Sequence, residues 1–336
     1  MDKIRKIIRF VKRLFPKTPK MKFIYAWYYK HGKINEKQAL FESFHGKDVS
    51  DSSLAILQEF LKMPESKDFK IYFATNDKKR DQKFIDSIGL KVELVDIADF
   101  KYVKVLATSK YLINNSSFPA YFIRRDEQVY LQTWHGTPLK KLVLDMEDVF
   151  MVNETDIESY QKGFVKNVQS WDFLISQNPF STTTFRRAFD FNKCMLEIGY
   201  PRNDILFKKN NEEDIVRLKR RLGLPLDKKI LLYAPTFRDD EFNENSSYKF
   251  SPKLSFQKLK EALQEEYILI VKYHYLIMDY IDWFQHKGFI YHFDQSNDIA
   301  ELFLVSDMLI TDYSSVMFDY SILHRPMFFY AYDLDK

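Results

Sequence analysis

The order of apolar segments along the chain is the sequence feature that most restricts its fold. After Pro19, apolar runs of strand length alternate with helical patterns and polar turns, as is typical of α/β proteins with parallel sheets. The predicted strands form two series, separated by a charged helix predicted at Glu212–Leu222. The first series is Lys70–Ala74, Val92–Val95, Tyr111–Asn114, Val129–Thr133, Phe173–Ser176 and Met195–Ile198, and the second is Ile230–Ala234, Ile268–Lys272, Ile290–Phe293, Met308–Thr311 and Met327–Tyr330. We therefore expect two doubly wound, Rossmann-like lobes that face a cleft.

The length of the chain, 336 residues, favours two domains over one compact core. We place the boundary near Asn210, in the polar stretch Lys208–Asn211 between the two series of strands. This predicts an N-terminal α/β domain over residues 21–210 and a C-terminal α/β domain over residues 211–336. A helical tail over residues 1–20 precedes them.

Several classes of protein are excluded by the composition. Cys194 is the only cysteine, so the chain can form neither an internal disulfide nor a multi-thiolate zinc site, which agrees with a reducing cytoplasm. No apolar run reaches the length of about 18 residues that a membrane span requires, and no secretory signal pattern is present. All eight glycines are isolated, which excludes the P-loop and the dinucleotide fingerprint, and with them ordinary kinases and dehydrogenases.

Positive charge is concentrated in residues 1–22. This segment holds nine of the 51 Lys and Arg residues but one of the 47 Asp and Glu residues, so the rest of the chain is slightly acidic. One helical face would carry Ile4, Ile7, Ile8, Val11, Leu14 and Phe15, and the other Lys3, Arg5, Lys6, Arg9, Lys12 and Arg13. We predict a helix on an anionic membrane surface, ended by Pro16 and Pro19. A helix packed on its own domain is the alternative, and no nucleic-acid partner is expected because the folded part has no basic excess.

A strand, a small polar turn and the start of a helix are predicted over Ser306–Asp319. Ser314 and Ser315 lie where the helix begins, so free backbone N–H groups and two hydroxyls can hold a diphosphate there. The alternative is that Asp312, Ser314 or Ser315 only caps the helix.

His135 follows a predicted strand, at the edge of the sheet expected to face the cleft. Gly136, the next residue, allows a ligand to approach the backbone closely. An imidazole in this position can take a proton from an attacking hydroxyl near neutral pH. A histidine with a structural role is the alternative.

Three cationic side chains follow the first two strands of the second series. They are Arg238, Lys272 and His274. Because the carboxyl ends of parallel strands meet at one edge of a sheet, these groups can together neutralise a diphosphate. Isolated surface cations are the alternative.

Five short motifs, taken together, resemble the CDP-glycerol glycerophosphotransferase family, which includes teichoic acid primases and polymerases and related capsule polymerases. The motifs are Trp134–Thr137, Asn178–Phe180, Gly199–Asp204, Tyr233–Arg238 and Thr311–Ser315, in the family's order and spread over roughly residues 105–336. The resemblance implies a GT-B-like fold, with CDP-glycerol or CDP-ribitol bound by the C-terminal domain and the acceptor on the N-terminal side. It also implies a polyprenyl-diphosphate-linked acceptor and a peripheral position on the cytoplasmic face of the membrane.

The same resemblance assigns roles to individual residues. His135 is the expected general base, and His274, the second expected catalytic residue, is expected to bind the diphosphate. The donor diphosphate is expected to be bound by Arg238, Lys272, Asp312, Ser314 and Ser315, and substrate to be positioned by Trp134, Gly136, Thr137, Pro201, Asn203, Thr236 and Asp319. No obligatory cofactor or metal cluster is expected, and a Mg²⁺ ion on the diphosphate is compatible with this arrangement.

Two features depart from the family pattern. Lys272 stands where an arginine is expected, which replaces a bidentate fork with a point charge. The family also continues past the position of Lys336, so we expect the C-terminal domain to be truncated. The residues do not distinguish glycerol from ribitol, and two other functions stay open, a GT-B sugar-nucleotide glycosyltransferase and an inactive envelope assembly protein.

Overall fold

The chain forms two compact units. The computed structural model describes residues 17–149, 156–236, 248–249, 254–272, 277–278, 286–293 and 298–333. The first unit holds the described residues up to His135 together with Lys166–Ser176 and Asn192–Pro201, and the second holds Gly136–Val165, Gln177–Phe191 and those from Arg202 onwards. The predicted membrane helix of the first 15 residues lies outside the described residues and stays a prediction, as does the domain boundary near Asn210.

A seven-stranded sheet forms the centre of the first unit. Its strands are β1 Asn35–Glu42, β2 Lys70–Thr75, β3 Glu93–Asp96, β4 Ser109–Asn114, β5 Val129–Gln132, β6 Phe173–Ser176 and β7 Cys194–Glu197. All neighbouring strands are parallel, in the order β3-β2-β1-β4-β5-β6-β7. The order reverses between β1 and β4, and doubly wound sheets bind ligands at the carboxyl ends of the strands beside such a reversal.

Helices cover both faces of this sheet because side chains alternate along each strand. The helices are α1 Lys17–His31, α2 Asp51–Phe60, α3 Lys78–Ser87 and α4 Phe100–Thr108. On one face, Phe41 and Phe73 of the sheet share a buried core with Leu57 of α2 and Ile85 of α3. On the other face, Gln38 of β1 donates hydrogen bonds to Thr108 and Ser109 at the end of α4.

Helix α1 begins at Lys17, where the tail helix was predicted to end. Pro19 lies in its first turn, a position that tolerates proline because the missing N–H would have no partner within the helix. Within the described residues, no helix combines the length and the apolarity needed to cross a membrane.

The second unit contains a smaller parallel sheet. The strands of the second unit are β8 Lys229–Tyr233, β9 Tyr248–Lys249, β10 Tyr267–Val271, β11 Ile277–Met278, β12 Ile290–His292, β13 Met308–Thr311 and β14 Met327–Phe329. Five of them are arranged as β12-β10-β8-β13-β14, and β9 pairs with β11 separately. The order again reverses between two neighbours, β8 and β13, and the carboxyl ends of such a strand pair are where doubly wound sheets bind ligands.

Seven further α-helices lie between residue 157 and the end of the described residues. They are α5 Ile157–Val168, α6 Pro179–Phe189, α7 Asp204–Lys208, α8 Glu212–Arg221, α9 Phe256–Leu263, α10 Ile299–Val305 and α11 Val316–Tyr320. Leu302 and Phe303 of α10 pack with Ile230 and Leu232 of β8 in the core of the second unit.

The predicted α/β class with two parallel sheets is confirmed, and every predicted strand is present within two residues of its predicted bounds. The prediction that the first series begins at Lys70 was wrong, because β1 precedes it. This strand has an apolar run of only three residues, Ala39 to Phe41, between the buried polar residues Gln38 and Glu42. The strand was missed because of these polar residues, whose side chains form hydrogen bonds with Tyr102 and Thr108 of α4 and Ser109 of β4.

Candidate active site

In the first unit, His135 lies beyond the carboxyl end of β5, next to the strand pair where the order reverses. Its Nδ1 atom is 2.6 Å from the backbone carbonyl oxygen of Asn115, the residue that follows β4. Because a carbonyl oxygen only accepts hydrogen bonds, Nδ1 must carry the hydrogen. In the neutral ring, Nε2 is then the unprotonated nitrogen and can accept a proton.

Aromatic rings hold the His135 imidazole from two sides. The Trp134 ring stacks on it with 4.7 Å between centroids, and the Phe44 ring meets it edge-on at 5.7 Å. Trp134 has a φ of +55°, an uncommon conformation for a bulky residue. Such strained residues persist where the surrounding structure fixes them, often at functional sites.

The loop after β1 carries a second strained segment. Phe44 and His45 have φ values of +46° and +58°. Their backbone N–H groups donate to the Asn115 side-chain oxygen at 2.8 Å and to the Ser116 hydroxyl at 3.2 Å. Burial lowers the pKa of His45, so its imidazole is neutral at pH 7.

Asn115 therefore connects the two segments. Its main-chain oxygen orients His135, and its side-chain oxygen holds the loop after β1. Asn115, Phe44 and His45 were not predicted from the sequence, and no local signal marks them, because their partners lie 20 to 71 residues away in the chain.

In the second unit, the predicted residues Thr236 and Asp312 connect the segments that follow β8 and β13. The Asp312 carboxylate accepts the backbone N–H of Thr236 at 2.9 Å and of Tyr313 at 2.7 Å. The Thr311 hydroxyl donates to the carbonyl oxygen of Ala234 at 2.8 Å. Asp312 thus shapes the turn in which the two predicted serines lie.

The predicted residues Ser315 and Gly136 are in close contact. A Cβ atom added to Gly136 would lie 2.9 Å from the Ser315 hydroxyl oxygen, closer than real Cβ contacts. Ser314 and Ser315 immediately precede α11, and the Ser314 hydroxyl accepts the N–H of Val316 at 3.4 Å. Thr137 is buried and its hydroxyl donates to the side-chain oxygen of Gln177.

Asp319 and Asn203, both predicted to position substrate, are buried and contact each other. One Asp319 oxygen accepts from the Asn203 amide at 2.7 Å, and the other accepts from the Arg202 guanidinium at 2.8 Å. Pro201 begins the 3₁₀ turn Pro201–Asn203 that presents these residues. Replacing one member of such a buried charged pair typically destabilises a protein by about 3–5 kcal/mol, so this group also has a structural role.

Of the three predicted cations, Lys272 is the one that lies within the described residues. Lys272 directly follows β10, is half-buried, and donates its backbone N–H to the Tyr233 carbonyl oxygen at 3.0 Å. Arg238 and His274 lie outside the described residues. The roles assigned to all the predicted site residues stay predictions.

The two parallel α/β sheets, each with polar residues where its strand order reverses, place the protein in the GT-B-like class of transferase folds, as the sequence predicted. The family model of the CDP-glycerol:poly(glycerophosphate) glycerophosphotransferases matches residues 24–336, and the chain belongs to this family.

Named relatives agree with this assignment. The teichoic acid poly(glycerol phosphate) polymerase of Bacillus subtilis (strain 168) is 42% identical over 335 residues, which are 100% of this chain and 44% of the relative. The chain thus spans less than half of that polymerase. A teichoic acid glycerol-phosphate transferase of Staphylococcus aureus (strain NCTC 8325 / PS 47) is 41% identical over 304 residues, covering 90% of this chain and 76% of the relative.

A solved structure of a wall teichoic acid polymerase also matches this chain. A variant of the wall teichoic acid polymerase TagF soaked with CDPG is 37% identical and matches with a TM-score of 0.86, covering 99% of this chain and 80% of that one.

Proposed function

We propose that this protein transfers glycerol phosphate from CDP-glycerol to a teichoic acid acceptor and releases CMP. Family membership and the glycerol phosphate relatives support this proposal, as does the TagF structure soaked with CDPG. In the reaction, an acceptor hydroxyl oxygen bonds to the β-phosphorus of the donor, and the bond from that phosphorus to the oxygen of CMP breaks. The hydroxyl proton goes to the enzyme, and CMP leaves with the electron pair of the broken bond.

The observation that carries the proposal is the fixed tautomer of His135. The hydrogen bond from Nδ1 to the Asn115 carbonyl oxygen leaves Nε2 as the acceptor for the hydroxyl proton. The same bond stabilises the imidazolium that forms, because Nδ1–H stays paired while the ring gains positive charge. The exposed position of His135 allows a large acceptor to reach it.

The donor diphosphate is assigned to the second unit. Lys272, Arg238 and His274 supply positive charge, and the Ser314 and Ser315 hydroxyls supply donors. The place of Lys272 at the end of β10 supports this assignment, because the carboxyl edge of the sheet is where doubly wound folds bind nucleotides. The contacts of Asp312 support a role in shaping the serine turn.

Glycerol is the polyol we propose, rather than ribitol. The family model and the two relatives above are glycerol phosphate enzymes by name. Supplying CDP-glycerol and CDP-ribitol in parallel tests this choice, since CMP should be released only, or much faster, from the glycerol donor. Release of UDP or GDP from a sugar donor would instead identify a glycosyltransferase.

We also propose that the protein works at the cytoplasmic membrane surface on a polyprenyl-linked acceptor. The charge of residues 1–22 supports this, and so do the exposed aromatic residues of α1, Phe23, Trp27 and Tyr29, which are 78, 58 and 39% exposed. Aromatic residues beside cations are typical of segments that lie at the membrane interface.

His135→Ala tests the proposed function. We expect the rate of CMP release to fall about 10²–10⁴-fold, the usual loss of a general base, while the affinity for CDP-glycerol stays nearly unchanged. His31→Ala, at an exposed position in α1, is the matched control and should react at the wild-type rate with a soluble acceptor. Turnover of His135→Ala within threefold of wild type would exclude His135 as the base.

A further inference from the structure

A groove of about 580 Å³ lies in the first unit, on the sheet face that α4 covers. It is bordered by the end of α1, the amino-terminal parts of β1 and β2, and one side of α4. Four lysines line it, Lys33, Lys70, Lys101 and Lys104, and we call it the lysine groove. Its volume is within the range of roughly 300–1,000 Å³ that ligand sites occupy.

Most of the positive charge of the lysine groove is uncompensated. No Asp or Glu is among its lining residues. Lys101 pairs with Glu93, but Lys33, Lys70 and Lys104 form no ion pair with any other residue in the described part of the chain. Three unpaired ammonium groups around one concave surface repel each other, and an anionic ligand would relieve that repulsion.

The groove is also lined by tyrosine and amide side chains, which indicate what the ligand carries besides negative charge. The Lys101 ammonium is 5.7 Å from the centre of the Tyr72 ring, and the Lys104 ammonium is 6.0 Å from that of Tyr28. The attraction between ammonium groups and aromatic rings holds these lysines beside Tyr72 and Tyr28, which also line the groove. Asn35 adds a polar amide to the lining. A lining that combines lysines with tyrosine and amide side chains suits a ligand that carries both phosphates and polyol hydroxyls.

The groove borders the whole length of α4. Its α4 wall runs from Phe100 to Thr108, a distance of about 12 Å at 1.5 Å per residue. Lys101 and Lys104 are one helical turn apart on this wall, so they can contact successive phosphates of a chain. A single phosphate would occupy only a small part of such a surface.

We propose that the lysine groove binds the poly(polyol phosphate) chain, the acceptor that grows by the reaction, at units away from its reacting end. This inference rests on the proposed function. Transfer needs only the terminal hydroxyl of the chain, so the groove acts by keeping that chain on the enzyme between additions. Holding one part of a polymer raises the effective concentration of its end without any new contact to the reacting atoms.

Binding of a defined-length oligo(glycerol phosphate) to the full chain tests the proposal. The variant Lys33→Gln, Lys70→Gln, Lys104→Gln removes the three unpaired charges. The matched control Lys67→Gln, Lys83→Gln, Lys91→Gln removes three exposed lysines of the same unit that do not line the groove. We expect the groove variant to raise Kd about tenfold or more and to flatten its salt dependence, since fewer counterions are released on binding. The control should keep the wild-type Kd, and equal Kd values for the two variants would overturn the proposal.

Two further probes separate the sources of a phosphodiester. Vesicles of anionic phospholipid offer headgroups, and single-stranded DNA of equal charge offers phosphates without a simple polyol. Loss of vesicle binding by the groove variant, with oligomer binding intact, would assign the groove to lipid and overturn the proposal. Equal binding of DNA, equally lost, would show recognition of charge alone and overturn it as well. Failure of the proposed function is seen separately, as absence of CMP release by the wild-type protein.

Discussion

At the scale of single residues, Gly136 offers a direct test of the proposed diphosphate site. In Gly136→Ala, the new methyl group would lie 2.9 Å from the Ser315 hydroxyl oxygen, so this hydroxyl must shift from its position. We expect the affinity for CDP-glycerol, measured by calorimetry, to fall about tenfold, equivalent to about 1.4 kcal/mol.

Gly163→Ala is the matched control for that change. Gly163 lies within α5 and has no neighbour within 4 Å of the added Cβ position. Alanine favours the helix over glycine by up to about 1 kcal/mol, so this variant should be as stable as wild type or more so and should bind donor normally. Wild-type affinity in Gly136→Ala would show that Ser315 does not contact the donor.

Some residues of the candidate site could be predicted from the sequence and others could not. His135, Gly136 and Ser315 could be proposed as site residues because each lies in a short motif just after a predicted strand. Asn115 could not, since its function depends on two contacts with residues distant in the chain, which only the folded sheet brings together. Sequence motifs thus indicate candidate chemical residues, whereas the residues that orient them become visible only in the folded structure.

At the scale of elements, β1 shows why a strand can escape prediction. Hydrophobic alternation identifies strands with one polar face, but β1 is buried on both faces over its second half and carries polar residues there. Glu42, its last residue, is 2% exposed and accepts a hydrogen bond from the Tyr102 hydroxyl at 2.7 Å. Tertiary contacts, rather than local composition, make this segment a strand.

Glu42 gives the stability of the first unit a pH dependence. Burial, opposed by the hydrogen bond from Tyr102, raises the pKa of Glu42 to about 7 from its ordinary 4.5. The folded state therefore binds more protons than the unfolded state between these values, and stability falls as pH rises from 4.5 through 7. The change is about 3 kcal/mol at 1.36 kcal/mol per pKa unit.

Glu42→Gln should remove this dependence, because the amide stays neutral at every pH. Urea denaturation at several pH values between 4.5 and 8 should show the variant gaining stability relative to wild type as pH rises. Burial also raises the pKa of Asp48, to about 6, but Asp48 titrates in both proteins and cancels in the difference. A difference that does not change with pH would contradict the prediction.

At the scale of the whole molecule, charge is separated along the chain. The excess of cations in residues 1–22 precedes a body that is slightly acidic. Deleting residues 1–15 should abolish flotation with vesicles that contain anionic lipid, because the remaining body lacks the same dense cationic segment. It should also impair transfer to a membrane-embedded acceptor while sparing transfer to a short soluble one.

Neutral vesicles are the control for the tail, and rising salt should release the intact protein from anionic vesicles, since the attraction is screened over about 8–10 Å. A helix that packs on its own domain predicts a different result, in which the deletion lowers the melting temperature and both transfer activities together. Equal flotation of the intact and shortened proteins would rule out the membrane role of the tail.

Because the first unit is interrupted in the sequence, two of its neighbouring strands are synthesised with a delay between them. About 40 residues separate β5 from its neighbour β6, and they include Gly136–Val165, which belongs to the other unit. At about 5–20 residues per second, a ribosome needs roughly 2–8 s to translate them. During that time β5 presents an unpaired hydrogen-bonding edge, the kind of surface on which nascent chains associate wrongly. We therefore expect chaperones to bind the nascent protein most strongly in this interval and to leave it once Ser176 has emerged.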